Sequence, residues 1–104
     1  MVFISGQVAW DENQKLIGEN NLALQTQKSI ENLGIAMKAV GGSLQNIVLL
    51  RLYIVNSKQG DGPIISQALI NNFGIENQPT STWVSVQGLA NEGFMIEIEA
   101  QAIL

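Results

Sequence analysis

In the final third of the chain, residues 78–104, side chains of two kinds alternate along the sequence, so that every second residue falls on the same face. This pattern strongly restricts how the segment can fold. In its second half one row is apolar and the intervening row carries two acids. The rows are Ile96, Ile98, Ala100 and Ala102, and Met95, Glu97, Glu99 and Gln101. A period of two is typical of a β-strand with one face against a core. We therefore predict two strands in this region, joined by a turn that contains glycine.

Two further strands are predicted upstream of this region. Residues 2–9 also alternate, and residues 46–56 form an almost continuous apolar run. A buried helix could carry such a run as well, but its length and its β-branched content favour a strand.

Two helices are predicted between these strands. The first follows Asn20 or Asn21, either of which can cap it, and continues to about Val40 with apolar residues at helical spacing. The second has Pro63 in its first turn and stops at Gly74, since these residue types suit the start and the end of a helix.

The order β-α-β-α-β-β predicts one α+β domain over residues 1–104, with two helices on one face of a mixed sheet. The row of the middle strand that suits the helices is Val48, Leu50, Leu52 and Ile54. The opposite face is then expected to carry Leu49, Arg51, Tyr53 and Val55, with Trp83, Ser85, Met95 and Glu97 from the neighbouring strands. Because this is too much apolar surface to leave in water, we expect a partner chain to cover it.

Composition narrows the possible functions. The net charge is −4 with only five Lys and Arg residues, which form no basic stripe, so binding to nucleic acid is not expected. The chain has no Cys and no His, which removes disulfides and the usual zinc ligands. No glycine-rich phosphate loop, membrane-length apolar run or signal peptide is visible. We expect a cytoplasmic protein without membrane attachment, metal or cofactor.

Four segments together resemble one known family. They are Ser5-Gly6-Gln7, Leu24-Gln25-Thr26, Pro79-Thr80-Ser81-Thr82 and the closing strand from Ile96 to Ile103. Their order and separation resemble the RidA/YjgF reactive-intermediate deaminases, also labelled endoribonuclease L-PSP, which have a chorismate-mutase-like fold. The resemblance implies a homotrimer with small-molecule clefts between subunits and hydrolysis of 2-imino acids to release ammonia. The family pattern has a further N-terminal strand that we expect this chain to lack.

The resemblance also assigns candidate ligand-binding residues, beginning with Gly6 of the first motif. Ser81 stands where the family has an arginine that grips a substrate carboxylate, so the ligand is either neutral or differently oriented, or the site no longer works. Trp83 replaces a small residue, and it either walls the pocket or fills it within a subunit interface.

Two charged residues complete the candidate site. Glu97 matches the family glutamate that positions a water for attack on an imine, although it could instead be an interface carboxylate bonded to backbone donors or to Arg51. Arg51, the single arginine, either replaces the missing anion clamp or pairs with Glu97 or Glu99 across a subunit interface.

We therefore expect a trimeric protein that binds a small metabolite, with imine or enamine deaminase activity weak or lost because of Ser81. The alternative is an active 2-imino acid deaminase that uses Glu97 and a displaced carboxylate clamp. Ribonuclease activity is not expected from an acidic chain without histidine. Chorismate mutase chemistry is not expected either, since it handles a dianion and the chain has one arginine.

Overall fold

Strands and helices follow one another in the predicted order. The computed structural model describes all 104 residues. The strands are β1 (Val2–Gln7), β2 (Ile47–Val55), β3 (Thr80–Val86) and β4 (Ile96–Ala102), and the helices are α1 (Leu22–Ala39) and α2 (Asp61–Phe73).

The start of α1 and the end of α2 lie at the residues that the sequence predicted, Asn21 and Gly74. Asn21 is the cap of α1, because its Oδ1 accepts the N–H of Leu24 at 3.0 Å. Gly74 ends α2 with a φ of 84°, and its N–H donates to the Ile70 carbonyl at 2.8 Å. Both predicted helices are confirmed.

The strand order is β1-β4-β2-β3, so β2 is a middle strand with β3 and β4 as its neighbours, as predicted. β2 lies between them, parallel to β3 and antiparallel to β4. The connection over residues 87–95 therefore passes the end of β2 instead of forming a tight turn. Alternation along a strand reports its buried face but not the path of the connection that follows it, which is why the sequence pattern predicted a simple turn here.

One face of the sheet holds the core, against which both helices pack. Burial alternates along β4, with its isoleucines and alanines inward, as the period of two predicts. The core cluster contains 17 buried apolar residues from both helices and from β1, β2 and β4. We call the other side of the sheet the open face.

The predicted apolar row of β2 is wrong at its first position. Val48 is 42% exposed, while Ile47 is 5% exposed and packs in the core. The pairing of β2 with β4 shifts register between Ile47 and Leu49, so the strand gains one residue there and its parity changes. Leu50 and the rest of the row are buried as expected.

The face assigned to β3 is also wrong. Trp83 pairs with Leu52, whose side chain is buried under the helices, so Trp83 lies on the helix side of the sheet together with Ser81 and Ser85. The residues of β3 that share the open face with Arg51, Tyr53 and Val55 are Thr82, Val84 and Val86. Nearly all of β3 is exposed, so its own sequence carries no signal of which face points inward.

Candidate functional site

Glu97 lies against Gly6, and this contact requires glycine. A bulge separates the paired residues Ile4 and Gln7 of β1 and brings Gly6 beside β4. A Cβ atom placed on Gly6 would lie only 2.5 Å from Cδ of Glu97 and 2.7 Å from its Oε2. Any larger residue would therefore push the carboxylate away, so the glycine of the first motif holds open the place that Glu97 occupies.

A small cavity opens beside this pair. Its volume is about 120 Å³, and it is lined by Gly6, Val8, Trp10, Leu89, Ala90, Asn91, Phe94 and Glu97. Ligand pockets for drug-sized molecules measure about 300–1,000 Å³, so this cavity accepts only a small ligand or one end of a larger one.

The Glu97 carboxylate makes no hydrogen bond or ion pair within the chain. Both of its oxygens are therefore free to accept hydrogen bonds from a water or from a ligand N–H. Such a carboxylate can take the proton of an attacking water, which is the role that the family resemblance implies. The other reading, a carboxylate paired with Arg51, does not hold within one chain because Arg51 contacts Glu99 instead.

Gln25 of α1 fixes one wall of the cavity. Its buried Nε2 donates to the carbonyls of Gly93 at 2.9 Å and Gly18 at 3.1 Å, and its Oε1 accepts the N–H of Met95 at 2.7 Å. These bonds tie the 87–95 connection, which carries Phe94, to the helix. Gln25 belongs to the second motif, but the sequence analysis gave it no role. The available signal was a polar residue at a position on the apolar face of the predicted helix, and the structure shows that this residue is buried.

Asn32 of α1 fixes a second part of the cavity wall, residues Val8 and Trp10. Its Nδ2 donates to the carbonyl of Val8 at 2.8 Å and to that of Trp10 at 3.0 Å. The rings of Trp10 and Phe94, one from each part of the wall, meet edge to face with centroids 5.8 Å apart. Two side-chain amides from one helix thus hold the segments that carry the two aromatic rings. The sequence analysis identified neither the amides nor the rings as parts of the site.

Arg51 pairs with an acid of the closing strand, and the acid is Glu99. The two residues lie directly opposite in the β2–β4 ladder, with Nη1 of Arg51 3.6 Å from Oε1 of Glu99. The same oxygen accepts the Tyr53 hydroxyl at 2.6 Å. This hydrogen bond raises the pKa of Tyr53 above its ordinary value, because the neutral phenol is the form that can donate. The pair is thus formed within one chain, where an intersubunit pair was expected.

Ser81 and Trp83 form a second, separate arrangement on the exposed strand β3. The indole Nε1–H of Trp83 donates to Oγ of Ser81 at 3.0 Å, and Trp83 remains 36% exposed. Both project from the helix side of the sheet, whereas Glu97 projects from the open face. One chain therefore does not bring these residues together, which corrects the expectation of a shared row.

No group of three or more His, Cys, Asp or Glu side chains lies close enough together to hold a metal ion. Neither helix combines the length and the apolarity needed to cross a bilayer.

Comparison with known proteins agrees with the fold. The chain is 28% identical over 102 residues to the 3-aminoacrylate deaminase RutC of Acinetobacter baylyi, covering 98% of this chain and 78% of that protein. It is 29% identical over 101 residues to a RutC family protein of Pyrococcus horikoshii, covering 97% and 77%. The crystal structure of YyfB, a Rid family protein of unknown function from Yersinia pestis, superposes with a TM-score of 0.91 at 35% identity, covering 99% and 77%.

A second solved structure, RidA from an Antarctic Psychrobacter, matches with a TM-score of 0.82 at 27% identity and covers 94% of this chain and 76% of that one. The model of the family described as endoribonuclease L-PSP matches residues 1–104, the full length of the chain. The chain therefore belongs to the endoribonuclease L-PSP family, the family of RidA, YjgF and RutC.

Proposed function

We propose that this protein is a RidA-type homotrimer that binds a small metabolite in clefts between its subunits, with hydrolysis of 2-imino acids weak or lost. One relative is a 3-aminoacrylate deaminase by name, which supports a nitrogen-containing small molecule as the ligand. The free carboxylate of Glu97 beside a small cavity supplies a group that can position water.

The expectation of reduced activity rests on one observation, the uncharged hydrogen-bonded pair of Ser81 and Trp83. Ser81 already accepts the Trp83 N–H, and its hydroxyl has one neutral proton left to donate. A guanidinium would instead hold a carboxylate with two charge-assisted bonds. Loss of such a clamp should cost a few kcal/mol of transition-state binding, on the order of a hundredfold or more in rate.

The open face supports assembly. It exposes apolar side chains from three strands, among them Phe3, which is 71% exposed, and Val84. Since Glu97 and Ser81 project from opposite sides of one sheet, a cleft that contains both must take them from two copies. Native mass spectrometry tests the trimer, and a stable monomer at micromolar concentration would contradict it.

The activity test generates 2-iminobutanoate in situ and follows its conversion to the 2-oxo acid with release of ammonia. We expect a rate far below that of an arginine-bearing relative, and a further loss in Glu97→Gln. Glu76→Gln, which changes an exposed acid away from the cavity, is the matched control. A rate equal to that of the arginine-bearing relative would instead support the second candidate, an active deaminase with a displaced clamp.

The displaced clamp has one specific observation in its favour. Arg51 and Glu97 lie on the same open face of the sheet. Arg51 pairs with Glu99 and the next pair on this face is Tyr53 with Glu97, so Arg51 and Glu97 are close neighbours. If Arg51 does hold the substrate carboxylate, Arg51→Met should raise KM for the imino acid. The double change Ser81→Arg with Trp83→Thr tests the first candidate directly, because it supplies a guanidinium and room for it. No gain in 2-oxo acid binding would show that the missing arginine is not what limits the site.

A further inference from the structure

We infer that the cavity beside Glu97 selects ligands whose inserted end is a small cation, an ammonium or a protonated imine, and rejects ligands that insert a carboxylate. The inference rests on the proposed function only in placing the ligand at Glu97. It names a substrate class different from 2-imino acids, namely amines and imines in which no carboxylate enters the cavity.

The charge of the cavity wall is the first reason. Of the eight lining residues only Glu97 is ionisable; the others are apolar or glycine, apart from the neutral amide of Asn91. An unpaired carboxylate in such a wall attracts a cation and repels an anion. Both interactions are stronger here than in water, because apolar surroundings weaken electrostatic forces less than water does. A ligand N–H would also satisfy the free oxygens of Glu97.

The position of the five cations is the second reason. Arg51 already contacts Glu99, and Lys28 lines a different cavity together with Asp11 and Glu12. No lysine lines the cavity of Glu97. A second copy of the chain would bring the same five cations, with its own Arg51 again facing its own Glu99. Within one chain, therefore, no cation neutralises Glu97 or is placed to hold an anionic ligand there.

The aromatic walls are the third reason. Trp10 and Phe94 both border the cavity, and an aromatic ring attracts a cation that lies over its face within about 6 Å of its centre. Trp is the strongest of the aromatic side chains in this respect. The small volume, about 120 Å³, fits a short aliphatic ammonium end but leaves little space for a branched one.

The test is a titration with three probes of equal length: n-butylammonium, butyrate and the neutral n-butanol. The indole N–H signals of the two tryptophans report binding by NMR, because Trp10 lines the cavity and Trp83 lies on the other side of the sheet. We expect saturable shifts of the Trp10 signal with butylammonium, at least tenfold weaker binding of butyrate, and an unmoved Trp83 signal.

Glu97→Gln keeps the shape of the side chain over Gly6 and removes its charge. It should abolish the preference for butylammonium over butanol, and its melting temperature shows whether it folds. Glu92→Gln is the matched control, since Glu92 belongs to the same connecting segment but does not line this cavity. Glu92→Gln should bind as the unchanged protein does.

Butyrate binding as tight as butylammonium binding, an unchanged preference in Glu97→Gln, or no binding of any probe would each overturn the inference. The outcomes are distinguishable from those of the proposed function. Glu97-dependent binding of butylammonium together with efficient hydrolysis of 2-iminobutanoate leaves the inference standing and contradicts the proposed function. Tighter binding of butyrate together with slow hydrolysis overturns the inference and leaves the proposed function standing.

Discussion

Gln25 should contribute more to stability than any other polar side chain in the molecule. It is fully buried and makes three hydrogen bonds, two donated to Gly18 and Gly93 and one accepted from the N–H of Met95. Gln25→Met keeps most of the side-chain volume but removes all three bonds. Each net bond contributes about 0.5–1.5 kcal/mol, and an N–H left buried without a partner costs about 1–3 kcal/mol.

These contributions suggest a loss of roughly 2–4 kcal/mol for Gln25→Met. For a domain of this size, 1 kcal/mol corresponds to about 4–8 °C, so we expect the melting temperature to fall by roughly 10–25 °C. Because the bonds hold the 87–95 connection, hydrogen exchange of the Met95 amide should accelerate more than exchange in α2.

Gln67→Met is the matched control for this substitution. Gln67 is an exposed glutamine of α2 whose amide bonds only Asn71 on the same helix, so its loss should change stability little. If Gln25→Met melts within about 2 °C of the unchanged protein and the Met95 amide stays protected, the reasoning from the buried amide is refuted.

Three further changes test other parts of the molecule. Gly6→Ala should displace the Glu97 side chain and close the cavity, because its Cβ would lie 2.5 Å from Cδ of Glu97; unchanged binding of a cavity ligand would refute this. Tyr53, the single tyrosine, should ionise above pH 10.0 when followed by ultraviolet absorbance, and Glu99→Gln should lower that midpoint. A raised folded-state pKa means that the contribution of Tyr53 to stability is complete below its ordinary pKa and is lost as the pH rises through the folded-state value. Arg51→Ala should weaken the proposed trimer, since covering the open face would bury Glu99 without its cation. Sedimentation at falling protein concentration measures this. An unchanged assembly would show that the pair stays in solvent, where such pairs contribute about 0–1 kcal/mol.

The local elements of the fold were predictable from the sequence because their signals are local. The period of two in β4 depends only on alternation along one strand, and burial follows it at every position. The cap at Asn21 and the stop at Gly74 depend on bonds that span four residues or fewer. Family membership was predictable for a related reason, since motifs and their separations are properties of the linear chain.

The candidate site depended on tertiary structure because each of its contacts joins distant segments. Gly6 and Glu97 meet only because β4 inserts between β1 and β2, and no pattern within either strand shows that insertion. The side of the sheet on which Trp83 lies was decided by its register with Leu52, and a shift of one residue would have reversed it. Register is set by packing of the whole sheet against the helices, so the strands and the buried rows of β2 and β4 could be read from the sequence while the face of β3 and the cavity could not.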